Sequence, residues 1–181
     1  MKALSVDKSL NYGREQIKEL SQNLKLDVIL DLGAGKGKDL DNLKILFPRS
    51  RTLGLECYVE NCKELIRKGH EVISVNVETS SLPLPEASVD LIIANQIFEH
   101  CKEIFWIFHE ASRVLKPNGV FIVGVPNLAS LHNRYLLLVG KQPTSIQLWS
   151  AHILRMTVVR CRLPSTRIQS GTNEGTYRQA A

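Results

Sequence analysis

Along the chain, short apolar runs alternate with stretches whose apolar residues recur at helical spacing. Residues 11–23, with Leu24 just beyond, set Ile17, Leu20 and Leu24 at helical spacing among polar neighbours, which predicts an amphipathic helix. Val28-Ile29-Leu30-Asp31-Leu32 is apolar almost throughout and runs into glycines, the pattern of a buried strand. A helix is predicted from about Lys38 to Phe47, stopping before Pro48. The spacing then gives a strand over Thr52–Glu56, a helix from Val59 to Lys68 closed by Gly69, and a strand from Glu71 to Val77. Beyond the turn-rich Ser80–Pro85 come a strand at Val89–Ala94 and a helix near Ile104–Leu115. The turn Lys116-Pro117-Asn118-Gly119 leads to a fifth strand at Val120–Val125, and Leu128 to Val139 fits one more helix.

This β-α-β-α order predicts an α/β protein with a mostly parallel sheet, right-handed crossovers and helices on both faces. There is no internal repeat. Beyond about Trp149 the periodicity fails, and no convincing pair of strands follows residue 150. Two segments result: a domain over 1–150 and a basic, poorly ordered tail over 151–181.

Composition sharpens this division. The 181 residues are 44% hydrophobic and 23% charged, enough for one domain with a core of its own. A net charge of +5 invites a nucleic-acid or membrane-surface reading. Its distribution argues against both: residues 151–181 carry five Arg, no Lys and only Glu174, so the body is close to neutral. No run approaches the roughly 18–20 apolar residues of a membrane span. The first residues, Met1 to Asp7, lack an apolar signal core, and Cys57, Cys62, Cys101 and Cys161 show no metal-binding spacing. Reduced thiols in a cytoplasmic protein are expected.

Candidate chemistry concentrates in Asp31-Leu32-Gly33-Ala34-Gly35-Lys36-Gly37-Lys38-Asp39, between a strand and a helix. Glycines there let the backbone turn sharply and approach a ligand closely. Dinucleotide binding wants GxGxxG, whereas Gly33, Gly35 and Gly37 follow GxGxG, and no Lys-Ser/Thr pair completes a P-loop. The strand ends in Asp31, a carboxylate that repels phosphate and suits an ammonium group. An ordinary strand-to-helix turn is the plainer alternative.

Asp31 to Asp39 resembles the first motif of class I S-adenosylmethionine-dependent methyltransferases, and the likeness continues along the chain. Glu56 closes the second strand, where that family places an acid for the ribose hydroxyls. Asp90 to His100 is similar to the family's fourth-strand segment, which ends beside the sulfonium. Arg113-Val-Leu-Lys-Pro-Asn-Gly119 resembles its turn into the fifth strand, and Pro126-Asn127 matches the type 11 and MetW-like branch. The resemblance covers about residues 11–150. It implies a Rossmann-like, doubly wound sheet in strand order 3-2-1-4-5, with the C-terminal hairpin missing or irregular and the fifth strand left as a bare edge. It also implies a C-terminus truncated or changed in reading frame near residues 150–155.

The resemblance further implies S-adenosylmethionine as cofactor, held by Arg14, Asp31, Gly33, Ala34, Gly35, Gly37, Glu56, Cys57, Asn76, Val77, Asn95 and Gln96. Arg14 would reach the cofactor's carboxylate, Cys57 would flank the adenine, and Val77 would offer its amide to the ring. Asn76 stands where the family often has an Asp on the adenine's amine. Methyl transfer to a small-molecule or glycan-like acceptor follows, with no metal. Glu99 and His100 are candidate catalytic groups; the alternative is an acid favoured by a helix dipole. His132 is a further candidate in reach of the site. A cofactor-binding remnant without turnover, a nicotinamide dehydrogenase and a nucleic-acid module resting on the tail are the competing readings.

Overall fold

The computed structural model describes residues 13–126, 131–142 and 155–160. Helices α1 (Arg14–Ser21), α2 (Lys38–Leu46), α3 (Val59–Arg67), α4 (Ile104–Val114) and α5 (Leu131–Leu138) accompany six strands. These are β1 (Val28–Leu32), β2 (Arg51–Leu55), β3 (Glu71–Ile73), β4 (Val89–Asn95), β5 (Leu115–Val125) and β6 (Arg155–Arg160). They form one sheet in the order β3-β2-β1-β4-β5-β6. The first five strands are parallel and β6 is antiparallel. The expected 3-2-1-4-5 arrangement is therefore present.

Strand alternation splits the core into two layers. Leu30 and Leu32 of β1 pack with Ile92, Phe121, Ile107 and Ala111 on one face of the sheet. Ile29 packs with Leu91, Ile93, Ile17, Leu40 and Leu65 on the other. Both faces are covered, which is why these strands read as unbroken apolar runs instead of alternating ones.

Three elements depart from the sequence expectation. β3 ends at Ile73, short of Val77, because Asn76 starts a turn. The amides of Thr79 and Ser80 donate to the Asn76 carbonyl, and its side-chain oxygen accepts the Glu78 amide at 3.0 Å. β5 begins at Leu115, with the Lys116–Gly119 turn bulging from it: Leu115 pairs with Val89, and the ladder resumes at Val120 opposite Leu91. Finally, the fifth strand is not a bare edge. β6 pairs along it from Val120↔Arg160 to Val125↔Arg155, inside the segment expected to carry no strand. Met156-Thr-Val-Val159 is rich in β-branched residues, but too short to show a period of its own. Residues 11–12, 127–130, 143–154 and 161–181, with the rest of the expected tail, lie outside the described residues.

A buried ion pair joins the loop before β4 to α4. Glu110 accepts from Arg113 at 3.0 and 2.7 Å and from the Leu82 amide at 2.8 Å, while Arg113 donates to the carbonyls of Leu82 and Leu84 at 2.9 Å each. The Arg113 guanidinium holds the Glu110 carboxyl below its usual value against the opposing effect of burial. A carboxyl lowered on folding stabilises the fold above its unfolded pKa, and that contribution is lost as pH falls through the lowered value. Arg113→Met leaves Glu110 without its charged partner, holding only the Leu82 amide, and takes a donor from each of the two carbonyls. It is expected to cost about 3 kcal/mol and lower Tm by about 6–12 °C at neutral pH, with a smaller deficit near pH 3, measured by thermal melts.

Candidate functional site

Parallel pairing brings the carboxyl ends of β1, β2 and β4 to one edge of the sheet. Asp31 lies in register with Gly54 of β2 and Ile93 of β4. The amides of Gly33 and Ala34 both donate to the Leu55 carbonyl, at 2.9 and 3.0 Å, so the glycine loop is tied to the end of β2. The Glu56 amide in turn donates to Ile73 of β3 at 3.0 Å.

The loop needs its glycines. Gly33, Gly35 and Gly37 have φ of +71°, +54° and +75°. A Cβ on Gly33 would lie 2.7 Å from Cδ1 of Ile97, and one on Gly37 2.6 Å from Cδ2 of Leu65. At Gly35 there is open space, with nothing within 4 Å of a Cβ position. The loop is thus closed against protein at its two ends and free for a ligand in the middle.

Acids surround it. Asp31 is buried at 2% exposure, and Glu56 is 9% exposed. The Glu56 Oε1 accepts the amides of Cys57 and Tyr58 at 2.9 and 2.8 Å, whereas Oε2 takes only a long bond of 3.3 Å from Asn61. One oxygen therefore orients the carboxylate, and the other retains acceptor capacity. Asp39, in the first turn of α2, pairs with Arg14 at 3.1 Å and accepts from the Asn95 amide at 3.0 Å. This set of carboxylate acceptors suits a cation with hydroxyls, and the residues present fit an S-adenosylmethionine molecule.

Of the residues expected at the site, the structure gathers Arg14, Asp31, Gly33, Ala34, Gly35, Gly37, Glu56, Cys57 and Asn95 through these contacts. Cys57 is exposed beside Glu56. Gln96 leaves β4 with φ +60° and donates its backbone amide to Gly124 at 2.8 Å. Asn76 already spends one lone pair of its oxygen on its own turn. Val77 is buried. Glu99 and His100 lie in a three-residue 3-10 turn, Phe98–His100, which is no dipole of consequence. The acid at the head of α4 is Glu78, which accepts the amides of Lys102 and Glu103. His100 is exposed, and the side chain of His132 lies outside the described residues.

Sequence reasoning missed the brace behind the loop. Lys68 Nζ donates to the Lys36 carbonyl and to Asp41 Oδ2, both at 2.6 Å. Buried His70 bridges Asp41 Oδ1 at 3.0 Å and the Thr52 hydroxyl at 2.8 Å. Burial alone would raise Asp41, but hydrogen bonds from Lys68 and His70 hold it below the usual carboxylate value. Nothing in the sequence pattern of Lys68-Gly69-His70 marks this role, since its partners are 18 to 32 residues away.

Burial pushes the Asp31 carboxyl well above its usual value; the Asp39 charge adds to this, and Arg14 opposes it. A carboxyl raised on folding destabilises the fold as pH climbs past the unfolded pKa, because ionising it in place is costly. Asp31→Asn is therefore expected to raise Tm in the absence of ligand. Melts at pH 5 and pH 7.5 should show the larger gain at pH 7.5.

A family model described as a methyltransferase domain matches residues 30–123. The chain is 33% identical over 100 residues to a probable S-adenosylmethionine-dependent methyltransferase of Mycolicibacterium smegmatis, covering 55% of this chain and 38% of that protein. It is 35% identical over 95 residues to a malonyl-[acyl-carrier protein] O-methyltransferase of Methylococcus capsulatus, covering 50% and 34%. The match thus spans little more than a third of these relatives' length. Among solved structures, the YcgJ protein of Bacillus subtilis superimposes with a TM-score of 0.55 at 21% identity, over 71% of this chain and 58% of that one, which shows the shared fold. With more than half of its residues inside the domain model, the chain belongs to the class I S-adenosylmethionine-dependent methyltransferases.

Proposed function

We propose that this chain binds S-adenosylmethionine at the β1–β2–β4 edge and transfers its methyl group to a small-molecule acceptor. The observation that carries the reading is the pairing of an acid-flanked glycine loop, open at Gly35, with Glu56 at the end of the adjacent strand. Asp31 and Asp39 give the edge a negative field for the cofactor's ammonium group. Glu56 Oε2 takes a ribose hydroxyl, each such charge-assisted bond contributing roughly 1.5–3 kcal/mol. Cys57 flanks the adenine, Val77 offers its backbone amide to the ring, and Asn76 offers its second lone pair to the exocyclic amine. Asn95 and Gln96 close the methionine side.

When bound, the cofactor supplies an electrophilic methyl on a positively charged sulfur. The protein's part is to bring the acceptor in line behind that methyl and to keep water out, which provides most of the acceleration. An acid–base group is needed only where the acceptor must lose a proton. No helix among those residues is long and apolar enough to cross a membrane.

Calorimetry with S-adenosylhomocysteine, on the full chain and on Glu56→Ala, tests the site. Wild type is expected to give saturable heat, and the variant to bind between about tenfold and a few-hundredfold more weakly, the value of one or two charge-assisted bonds. Equal affinity in both, or no heat in either, overturns the assignment. Binding that is retained without turnover of any acceptor marks a cofactor-binding remnant instead.

A further inference from the structure

The exit of β4 holds two polar side chains that the fold does not use. The amide nitrogen of Gln96 and both carboxylate oxygens of Glu99 are buried and have no hydrogen-bond partner among the described residues. Buried polar groups are almost always paired, and an unpaired buried carboxylate is among the most costly exceptions. Gln96 also sits at φ +60°, uncommon for a residue with a Cβ. Strain and unpaired polar atoms on one four-residue stretch are the marks of a ligand site.

Its place in the fold ties that stretch to the transfer centre. Asn95 donates to Asp39 at 3.0 Å, and Ile97 packs against Gly33 so closely that a Cβ there would clash. Phe98 is held inward, stacked on Phe108 at 5.1 Å and tilted against Phe121 at 6.3 Å. The His100 amide closes the turn on the Ile97 carbonyl at 2.9 Å. Residues 95 to 99 are thus braced at both ends, next to the glycine loop and on rigid elements.

We infer that Glu99 and the Gln96 amide form the acceptor subsite, and that the acceptor is a primary or secondary amine that arrives protonated. The inference rests on the methyl-transfer reading above. Two free carboxylate oxygens call for a group with at least two donors and a positive charge; an ammonium has both, whereas a hydroxyl has one donor and no charge. The Gln96 amide takes an acceptor atom elsewhere on the same molecule. Glu99 accepts a proton from the ammonium, which frees the nitrogen lone pair. That pair forms the new N–C bond as the C–S bond breaks, its electrons staying on sulfur. The products are a methylated ammonium, S-adenosylhomocysteine and a protonated Glu99, which returns its proton to solvent on product release.

The test uses the full chain saturated with S-adenosylhomocysteine, titrated calorimetrically with phenethylamine, ethanolamine and spermidine and with the alcohols 2-phenylethanol and ethylene glycol. At least one amine is expected to bind and no alcohol to match it. Glu99→Gln keeps the side chain's size, so its affinity for S-adenosylhomocysteine should stay within about twofold and its ligand-free Tm should not fall. Its affinity for the amine should drop tenfold or more, and in turnover assays the amine's rate should fall about 100-fold. The inference is overturned if no amine binds while the cofactor product does. It is equally overturned if alcohols bind as well as amines, if Glu99→Gln leaves amine binding intact, or if that variant lowers Tm, which would reveal a structural partner. Failure of wild type to bind S-adenosylhomocysteine is a different result, since it removes the methyl-transfer reading itself.

Discussion

Two amide hydrogen bonds, from Gly33 and Ala34 to the carbonyl of Leu55, join the end of β1 to the end of β2, and the site is built around them. They require the chain to turn immediately after Leu32, which demands positive φ and close approach to Ile97. Only a residue without a Cβ meets both conditions at Gly33. Because the strands are parallel, the same turn that starts α2 also sets Asp31 one strand away from Glu56. The brace of Lys68 on the Lys36 carbonyl then fixes the loop from behind, through Asp41, His70 and Thr52.

That arrangement concentrates negative charge where the sheet is least hydrated. Asp31, Asp39 and Glu56 face one arginine, Arg14, in the described part of the edge. A ligand with an ammonium and a sulfonium relieves the repulsion among these acids, so affinity and stability pull in opposite directions at Asp31. The unpaired carboxylate of Glu99 extends the same logic to the exit of β4. In both places the protein buries a carboxyl at a cost, and a cationic guest is the natural complement.

The sheet edge distinguishes this chain from the sequence expectation. β5 without a neighbour would display a row of unpaired backbone groups next to the strand that supports Asn95 and Gln96. β6 covers that row over six paired positions. Gly124 of β5 lies so near Asn95 Oδ1 that a side chain there would displace it, so the strand that β6 covers also shapes the site.

Much was legible in the order of residues. Apolar runs such as Val28–Leu32 and Val89–Ala94 announce doubly covered strands, because burial on both faces leaves no polar alternation. Gly33, Gly35 and Gly37 announce their loop, because backbone conformation is a local property. The acids Asp31 and Glu56 could be placed because each ends a strand that periodicity marks. What the sequence could not show depends on contacts across the chain. Arg14 is held by Asp39, Asn76 spends its oxygen on its own turn, and Glu56 commits one oxygen to backbone amides. The short run at 155–160 becomes a strand only because β5 presents an open ladder. Local chemistry and periodicity are written in neighbouring residues; pairing, burial and unspent hydrogen bonds exist only once distant residues meet.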